Sequence, residues 1–231
     1  MIRARDIFTQ IQKLTSKLIV SGLVIDQCSP TIRRLSNSQR EEVNISDIQS
    51  ESSSIFLKKI PYKTLYYELL ERRFYNVKMI DGALIQMQYI FCNNKIERHR
   101  LSFFPNPDLY SFQDYPEVYL EDKLYSDIVD IRLVCVPLRF DYDASRNDDG
   151  EMIAKPIVHP ISHLTIGQYK NCRIPVKSAL TPYQFIEFIV RNFYNTDTVI
   201  YTDYLDTWNK YFEESIFDEE KNIINISIPV Y

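Results

Sequence analysis

Two short stretches carry the side chains from which a metal-free proton-transfer site can be built. They are Arg139-Phe140-Asp141-Tyr142-Asp143 and His159-Pro160-Ile161-Ser162-His163-Leu164-Thr165-Ile166-Gly167. The second holds two of the chain's three histidines, four residues apart. On a helix that spacing would place both rings on one face, as a metal requires, but Pro160 disfavours helical geometry at His159. On an ideal strand the rings share a face yet stand roughly 13 Å apart. The pair can therefore cooperate only if the chain turns through Pro160-Ile161-Ser162. In that case His163, Thr165 and Gly167 point one way, and Leu164 and Ile166 enter the core. If the two stretches pair as antiparallel strands, Asp141 or Asp143 approaches His163, orients its imidazole and raises its pKa. Arg139 offers a planar fork suited to a phosphate. Two imidazoles and a guanidinium suffice for RNA cleavage without a metal. One ring takes the 2′-hydroxyl proton, the other protonates the leaving oxygen, and the guanidinium stabilises the pentacoordinate phosphate. The candidate catalytic residues are thus His159, His163, Asp141 and Arg139, and Asp143 and Thr165 are candidates for binding. Two alternatives stay open. One is a metal held by His159, His163 and Asp141 or Asp143. The other is a structural histidine bonded to a backbone carbonyl. His99, between Arg98 and Arg100, reads as an exposed strand end.

Composition narrows the chemistry further. Only four glycines occur, and neither G-x-G-x-x-G nor G-x-x-x-x-G-K-[ST] is present, so no phosphate-cradling loop is expected. The four cysteines, Cys28, Cys92, Cys135 and Cys172, form no C-x-x-C pair, which excludes a zinc ribbon or thioredoxin-type motif. No cofactor is implied. A net charge of −4 argues against a protein coated with positive charge for DNA, although Lys58, Lys59, Lys63, Arg72, Arg73, Arg98 and Arg100 crowd one stretch. No run approaches about 18 uninterrupted apolar residues, so no membrane span is expected. The first residues show no signal-peptide h-region, and the expected location is cytoplasmic.

The elements that must position these residues follow from periodicity. Ile7, Ile11, Leu14 and Leu18 recur at helical spacing over 5–21, with Gly22 as the cap. The serine-rich stretch 36–54 reads as a polar loop. A helix is expected from Pro61, with Leu65, Leu69 and Leu70 inward. Three aromatic and β-branched runs, 73–80, 84–92 and 95–104, predict an antiparallel meander. Its first turn, Asp81-Gly82, carries a type I′ signature, and its second, Asn93-Asn94, a weaker one. A short helix is expected over 118–126, and the strongest strand over 130–142, where Pro137 implies an edge or a bulge. A further strand runs near 161–166. Thr181, Pro182 and Gln184 form a capping box for a helix that turns Phe185, Ile186, Ile189 and Phe193 inward. A helix near 203–214 and a strand at 223–230 close the chain. The fold class is α+β: one domain over 1–231, with an antiparallel sheet and about four to five helices, and the motif-bearing segment at 130–195.

At the same residues the sequence is similar to a known family. Leu138 to Asp143, His159 to Leu164 with Gly167, Arg173-Ile174-Pro175, Pro182 with Phe185, Phe188-Ile189 and Asn192-Phe193-Tyr194 resemble a bacterial family filed as domain of unknown function twenty-two-ninety. The resemblance spans most of the chain and is densest over 137–195. It implies a grouping and no mechanism. Arg173, inside that pattern, joins the candidate binding residues. A looser likeness, to small toxins of the TumE type, rests on an R-x-D element followed by a histidine-bearing element and a helix; here the second element is H-P-x-S-H. That likeness implies a toxin–antitoxin or phage-defence component, with an RNase-like action on RNA or DNA. The competing expectation is a non-catalytic binding or assembly subunit that docks a protein encoded nearby, such as an ATPase or nuclease. It draws on the Tyr content, the N-terminal amphipathic helix and the serine-rich stretch.

Overall fold

A computed structural model describes residues 1–35, 39–45, 60–108, 117, 136–169 and 171–230. A nine-stranded antiparallel sheet runs through them, in the order β1-β4-β5-β6-β7-β8-β9, with β3 also paired to β5 and β2 to β3. The strands are β1 Val24–Gln27, β2 Pro30–Arg34, β3 Arg40–Ile45, β4 Val77–Met79, β5 Leu84–Cys92, β6 Lys95–Phe104, β7 Leu138–Asp143, β8 Ser162–Ile166 and β9 Ile174–Pro175. The helices are α1 Ala4–Val20, α2 Tyr62–Glu71 and α3 Pro182–Phe193, with 3-10 turns at Tyr201–Tyr204 and Asp218–Asn222. The α+β class and the meander β4-β5-β6 match expectation.

The helices form where local chemistry favours them. Ile7, Ile11, Leu14 and Leu18 of α1 are all buried. Gly22, at φ 81°, lets the Leu23 N–H bond back to the Leu18 carbonyl and the Gly22 N–H to Ile19, a Schellman stop. Helix α3 has the expected capping box: the Thr181 hydroxyl accepts from the Gln184 N–H, and the Gln184 side chain accepts from the Thr181 N–H. Both helices cover one face of the sheet, where Ile85, Met87, Tyr89, Leu101, Phe103 and Phe140 join their apolar residues in the main core. Helix α2 packs Leu65, Tyr66 and Leu69 in a smaller cluster with Leu84 and Phe104. Register places Leu84 and Phe104 opposite one another. Strand alternation puts them on the face of Ser102 and Arg100.

Several expectations are corrected. Three α-helices are found among the described residues, fewer than four to five. Residues 118–126 and 130–135 lie outside the described residues. The stretch 203–214 forms no helix beyond the 3-10 turn ending at Tyr204; its Trp, Tyr and Phe residues are weak helix formers. The end of the chain makes only a bridge, Ile226 to Val176 in parallel, rather than a strand over 223–230. There the Asn225 side chain bonds local carbonyls at Glu220 and Ile223, which competes with extended pairing. The polar stretch 36–54 contains strand β3, whose Val43 and Ile45 are buried; its remaining residues, apart from Gln39, lie outside the described ones. The β4–β5 turn is not type I′, because Gly82 alone has positive φ, 84°. Its Gly82 N–H bonds to Met79 and the Met79 N–H to Ala83, which is a three-residue loop closed by a glycine bulge. The Asn93-Asn94 turn, with φ of 53° and 63°, has the positive angles that type I′ requires. Pro137 precedes β7, an interior strand bonded to both neighbours, where its missing N–H costs no ladder bond.

Phe140 anchors β7 to α3, its ring meeting Phe185 and Phe188 edge-on at 6.1 and 5.5 Å. Replacing it with alanine is expected to destabilise the protein by about 3–5 kcal/mol, read as a lowered urea midpoint with an unchanged slope.

Candidate functional site

Strand β7 alternates between two environments. Phe140 and Tyr142 face the core side, whereas Arg139, Asp141 and Asp143 face the other. Register then brings charged partners alongside: Arg98 opposite Asp143 and Arg100 opposite Asp141 on β6, with His163 opposite Asp141 and Thr165 opposite Arg139 on β8. The expected antiparallel pairing of the two motif strands is thus realised.

Asp141 is the centre of this cluster. Its side chain is 13% exposed, and each oxygen is engaged by a guanidinium. Arg100 Nε donates to Oδ1 at 3.0 Å and Arg139 Nε to Oδ2 at 2.6 Å. His163 Nε2 lies 3.8 Å from Oδ2, an ion-pair distance only when the ring is protonated. Burial raises the Asp141 pKa, but Arg100, Arg139 and His163 together outweigh it and hold the carboxyl at about 2. The carboxylate is therefore ionised at neutral pH. Asp143, two residues on, accepts from Arg98 Nε at 3.1 Å and from the Ser145 hydroxyl and N–H.

The two histidines converge. His163 is 5% exposed in its side chain, and its Nδ1 lies 3.1 Å from the Pro160 carbonyl. That contact makes Nδ1 the protonated nitrogen of the neutral ring and turns Nε2 toward Asp141. The chain bends at Ile161 between the two histidines, and the ring centroids stand 5.5 Å apart instead of the extended-strand separation. Burial lowers the pKa of His163; Asp141 raises it, as expected, but by less. Burial also lowers the pKa of His159, with Arg173 acting in the same direction. Both rings are therefore neutral at pH 7. His159 is half-buried, and among the described residues its ring nitrogens accept or donate no hydrogen bond.

His159 ends a tight reversal in which Lys155 and His159 exchange both backbone hydrogen bonds. Its tip is strained: Ile157 sits at φ 65°, a region that β-branched residues rarely occupy. The buried Glu220 carboxylate holds that tip by accepting from the Ile157 N–H at 2.9 Å and the Phe217 N–H at 3.2 Å. Arg173 gives one guanidinium nitrogen to the Val158 carbonyl at 2.9 Å. Its other donors have no bond among the described residues. Arg139 likewise bonds Asp141 through Nε alone.

All four expected catalytic residues thus form one chain of contacts: His159, His163, Asp141 and Arg139. Thr165 flanks Arg139 across the ladder, Asp143 shares the face, and Arg173 supports the turn. Arg100 and Glu220 were missed as members. In the sequence Arg100 is one of a crowd of basic residues, with nothing to single it out. No local signal marks Glu220, 63 residues away from Ile157. His99 is corrected: it is 3% exposed and lies on the core face, stacked on Tyr142 at 5.6 Å. Its Nε2 accepts from the Leu180 N–H, and burial lowers its pKa to about 3. Among the described residues no three His, Cys, Asp or Glu side chains group to hold a metal ion, so the metal arrangement over His159, His163 and Asp141 or Asp143 is not assembled.

Fold and site together define an α+β protein with an antiparallel sheet that is apolar on one face and carries an ionic ladder with a histidine pair on the other. No helix among the described residues is long and apolar enough to cross a membrane. The chain belongs to the family described as "Uncharacterized conserved protein (DUF2290)", which matches residues 23–228. No curated protein and no solved structure matches it.

Two stability outcomes follow. The Asp141 pKa is lower folded than unfolded, so its contribution, about 2–3 kcal/mol, is complete above about pH 5 and is lost as pH falls toward 2. Unfolding free energy should therefore drop between about pH 5 and pH 2, and Asp141→Asn should flatten that drop while lowering stability at pH 7. Ile157→Asn should raise the thermal midpoint, because asparagine tolerates this backbone region and the lost side chain is 51% exposed.

Proposed function

We propose that this chain is a metal-independent, RNase-like effector acting on nucleic acid, with His159 as the proton-transferring group. The observation that carries the reading is the packing of the His159 ring on His163, which in turn faces the Asp141–Arg139 pair, while the His159 ring nitrogens make no hydrogen bond among the described residues. His159 is neutral at pH 7 and so is ready to take the 2′-hydroxyl proton of a ribose. The 2′ oxygen attacks the adjacent phosphorus, and the bond to the 5′ oxygen breaks. His163 is turned inward by Pro160 and Asp141, so it positions and supports His159 rather than touching substrate. His159 then returns its proton to the 5′ oxygen, leaving a 2′,3′-cyclic phosphate and a 5′-hydroxyl. The donors of Arg173 and Arg139 that bond nothing among the described residues suit the extra negative charge on the phosphate. The setting proposed, a bacterial toxin–antitoxin or phage-defence system, draws on the sequence likeness to TumE-type toxins.

A second reading is favoured by one feature the chemistry does not require. Ile157 and Val158, at the tip of the His159 turn, are 51% and 69% exposed. A non-catalytic subunit that docks a partner such as an ATPase or nuclease would use that apolar tip.

Single-stranded RNA incubated with the protein and a chelator is expected to give cyclic-phosphate ends. His159→Ala should slow cleavage by about 100-fold with the circular dichroism spectrum unchanged. Activity should fall on acidification as His159 becomes protonated. A folded His159→Ala variant that cleaves at the parent rate overturns the catalytic reading. Val158→Asp should leave cleavage intact and, under the docking reading, abolish co-purification with the neighbouring gene product.

A further inference from the structure

On the opposite, core-side face of the sheet, the N-terminus, the β5–β6 turn and the 211–215 segment enclose a cleft of about 280 Å³. It lies near the lower end of ligand-pocket sizes, about 300–1,000 Å³, and suits one small metabolite rather than a nucleotide. Ile2, Ile96 and Phe212 supply apolar wall, and the Tyr142 ring closes it toward β7.

The charges on its rim are unevenly satisfied. Glu214 is held by Lys221 at 2.9 Å and Lys177 at 3.5 Å. Glu213 beside it has no ion pair among the described residues, and neither does Lys95 across the cleft. Two opposite charges line one cleft without pairing to each other. The Tyr142 hydroxyl makes no hydrogen bond among the described residues either. Burial, then the nearby Glu213 carboxylate, keeps this phenol protonated.

From this juxtaposition we infer that the cleft binds a zwitterionic α-amino acid with an apolar side chain. Its ammonium meets Glu213 and the Tyr142 oxygen, its carboxylate meets Lys95, and its side chain rests on Phe212, Ile2 and Ile96. Each charged end gains a charge-assisted hydrogen bond in a half-enclosed site. The site is separate from the Asp141–histidine cluster, which occupies the other face, and does not depend on it.

Calorimetric titration of the full chain with L-phenylalanine, phenethylamine and phenylacetate tests the inference. L-Phenylalanine should bind saturably, and each single-charge analogue should bind about tenfold more weakly, equivalent to 1.4 kcal/mol. Glu213→Gln should weaken phenylalanine and phenethylamine and leave phenylacetate unchanged. Lys95→Gln should show the mirror pattern, and RNA cleavage should be the same in both variants. Absence of saturable binding by all three probes overturns the inference. So does binding of phenylalanine that neither variant weakens.

Discussion

The Asp141 carboxylate imposes the constraint on which the rest of the site depends. A nearly buried charge is tolerable only when it is paired and its oxygens accept hydrogen bonds. Arg100 from β6 and Arg139 from β7 each take one oxygen, and His163 of β8 faces the second. Three adjacent strands are thereby tied at one level of the ladder. A slip of one residue in either pairing would drive Asp141 against the apolar side and leave two guanidinium groups without their partner. The Arg98–Asp143 pair, two residues away on the same face, repeats the restriction. The ladder specifies register more than it adds net stability, since desolvation offsets much of the attraction within such pairs.

The other face supplies the stability. Phe140 lies between Asp141 and Arg139 in sequence but packs on α3. Tyr142 stacks on His99, whose Nε2 accepts from Leu180 directly before the Thr181 cap of α3. The Tyr89 hydroxyl donates to the Leu180 carbonyl at 3.0 Å. Both backbone groups of Leu180 are therefore held by side chains from β5 and β6, which fixes where α3 begins. Since α3 carries Phe185 and Phe188, the start of that helix fixes the seat of Phe140, and so the height of Asp141 on the polar face. This dependence runs through packed rings and hydrogen bonds rather than through the charges.

Much of this was legible locally. The α1 stripe, the Thr181–Gln184 box and the meander rest on spacings within a few residues, where sequence and structure speak through the same short-range forces. The chemistry of 139–143 and 159–165 was also visible, because alternation on a strand dictates which side chains share a face. Pairings across the chain were not. His99 alternates with two arginines, and a strand end in water or a half-buried strand gives the same pattern; only the sheet order decides between them. Arg100 joins Asp141 across 41 residues, and the register that achieves it depends on packing beneath. The 203–214 stretch has helical length, but its aromatic residues serve the core and the cleft instead of a helix stripe.

The position of His159 shows how far such dependence reaches. Inside residues 155–159 the Val158 N–H bonds to the Pro156 carbonyl at 2.6 Å, a three-residue turn that places Ile157 at positive φ, at a cost on the order of 1–3 kcal/mol for a residue of its kind. Glu220 supplies a second hold on that conformation. Its buried carboxylate needs donors, and the Ile157 and Phe217 N–H groups are those it finds. Turning Ile157 into the left-handed region aims its N–H at Glu220 and closes the reversal that presents His159 to His163. The strain is thus balanced against a buried carboxylate oxygen that would otherwise lose its Ile157 donor, a cost at least as large. The histidine pair is consequently set from two sides: from beneath by the arginine-bound Asp141, and from the flank by a glutamate near the end of the chain.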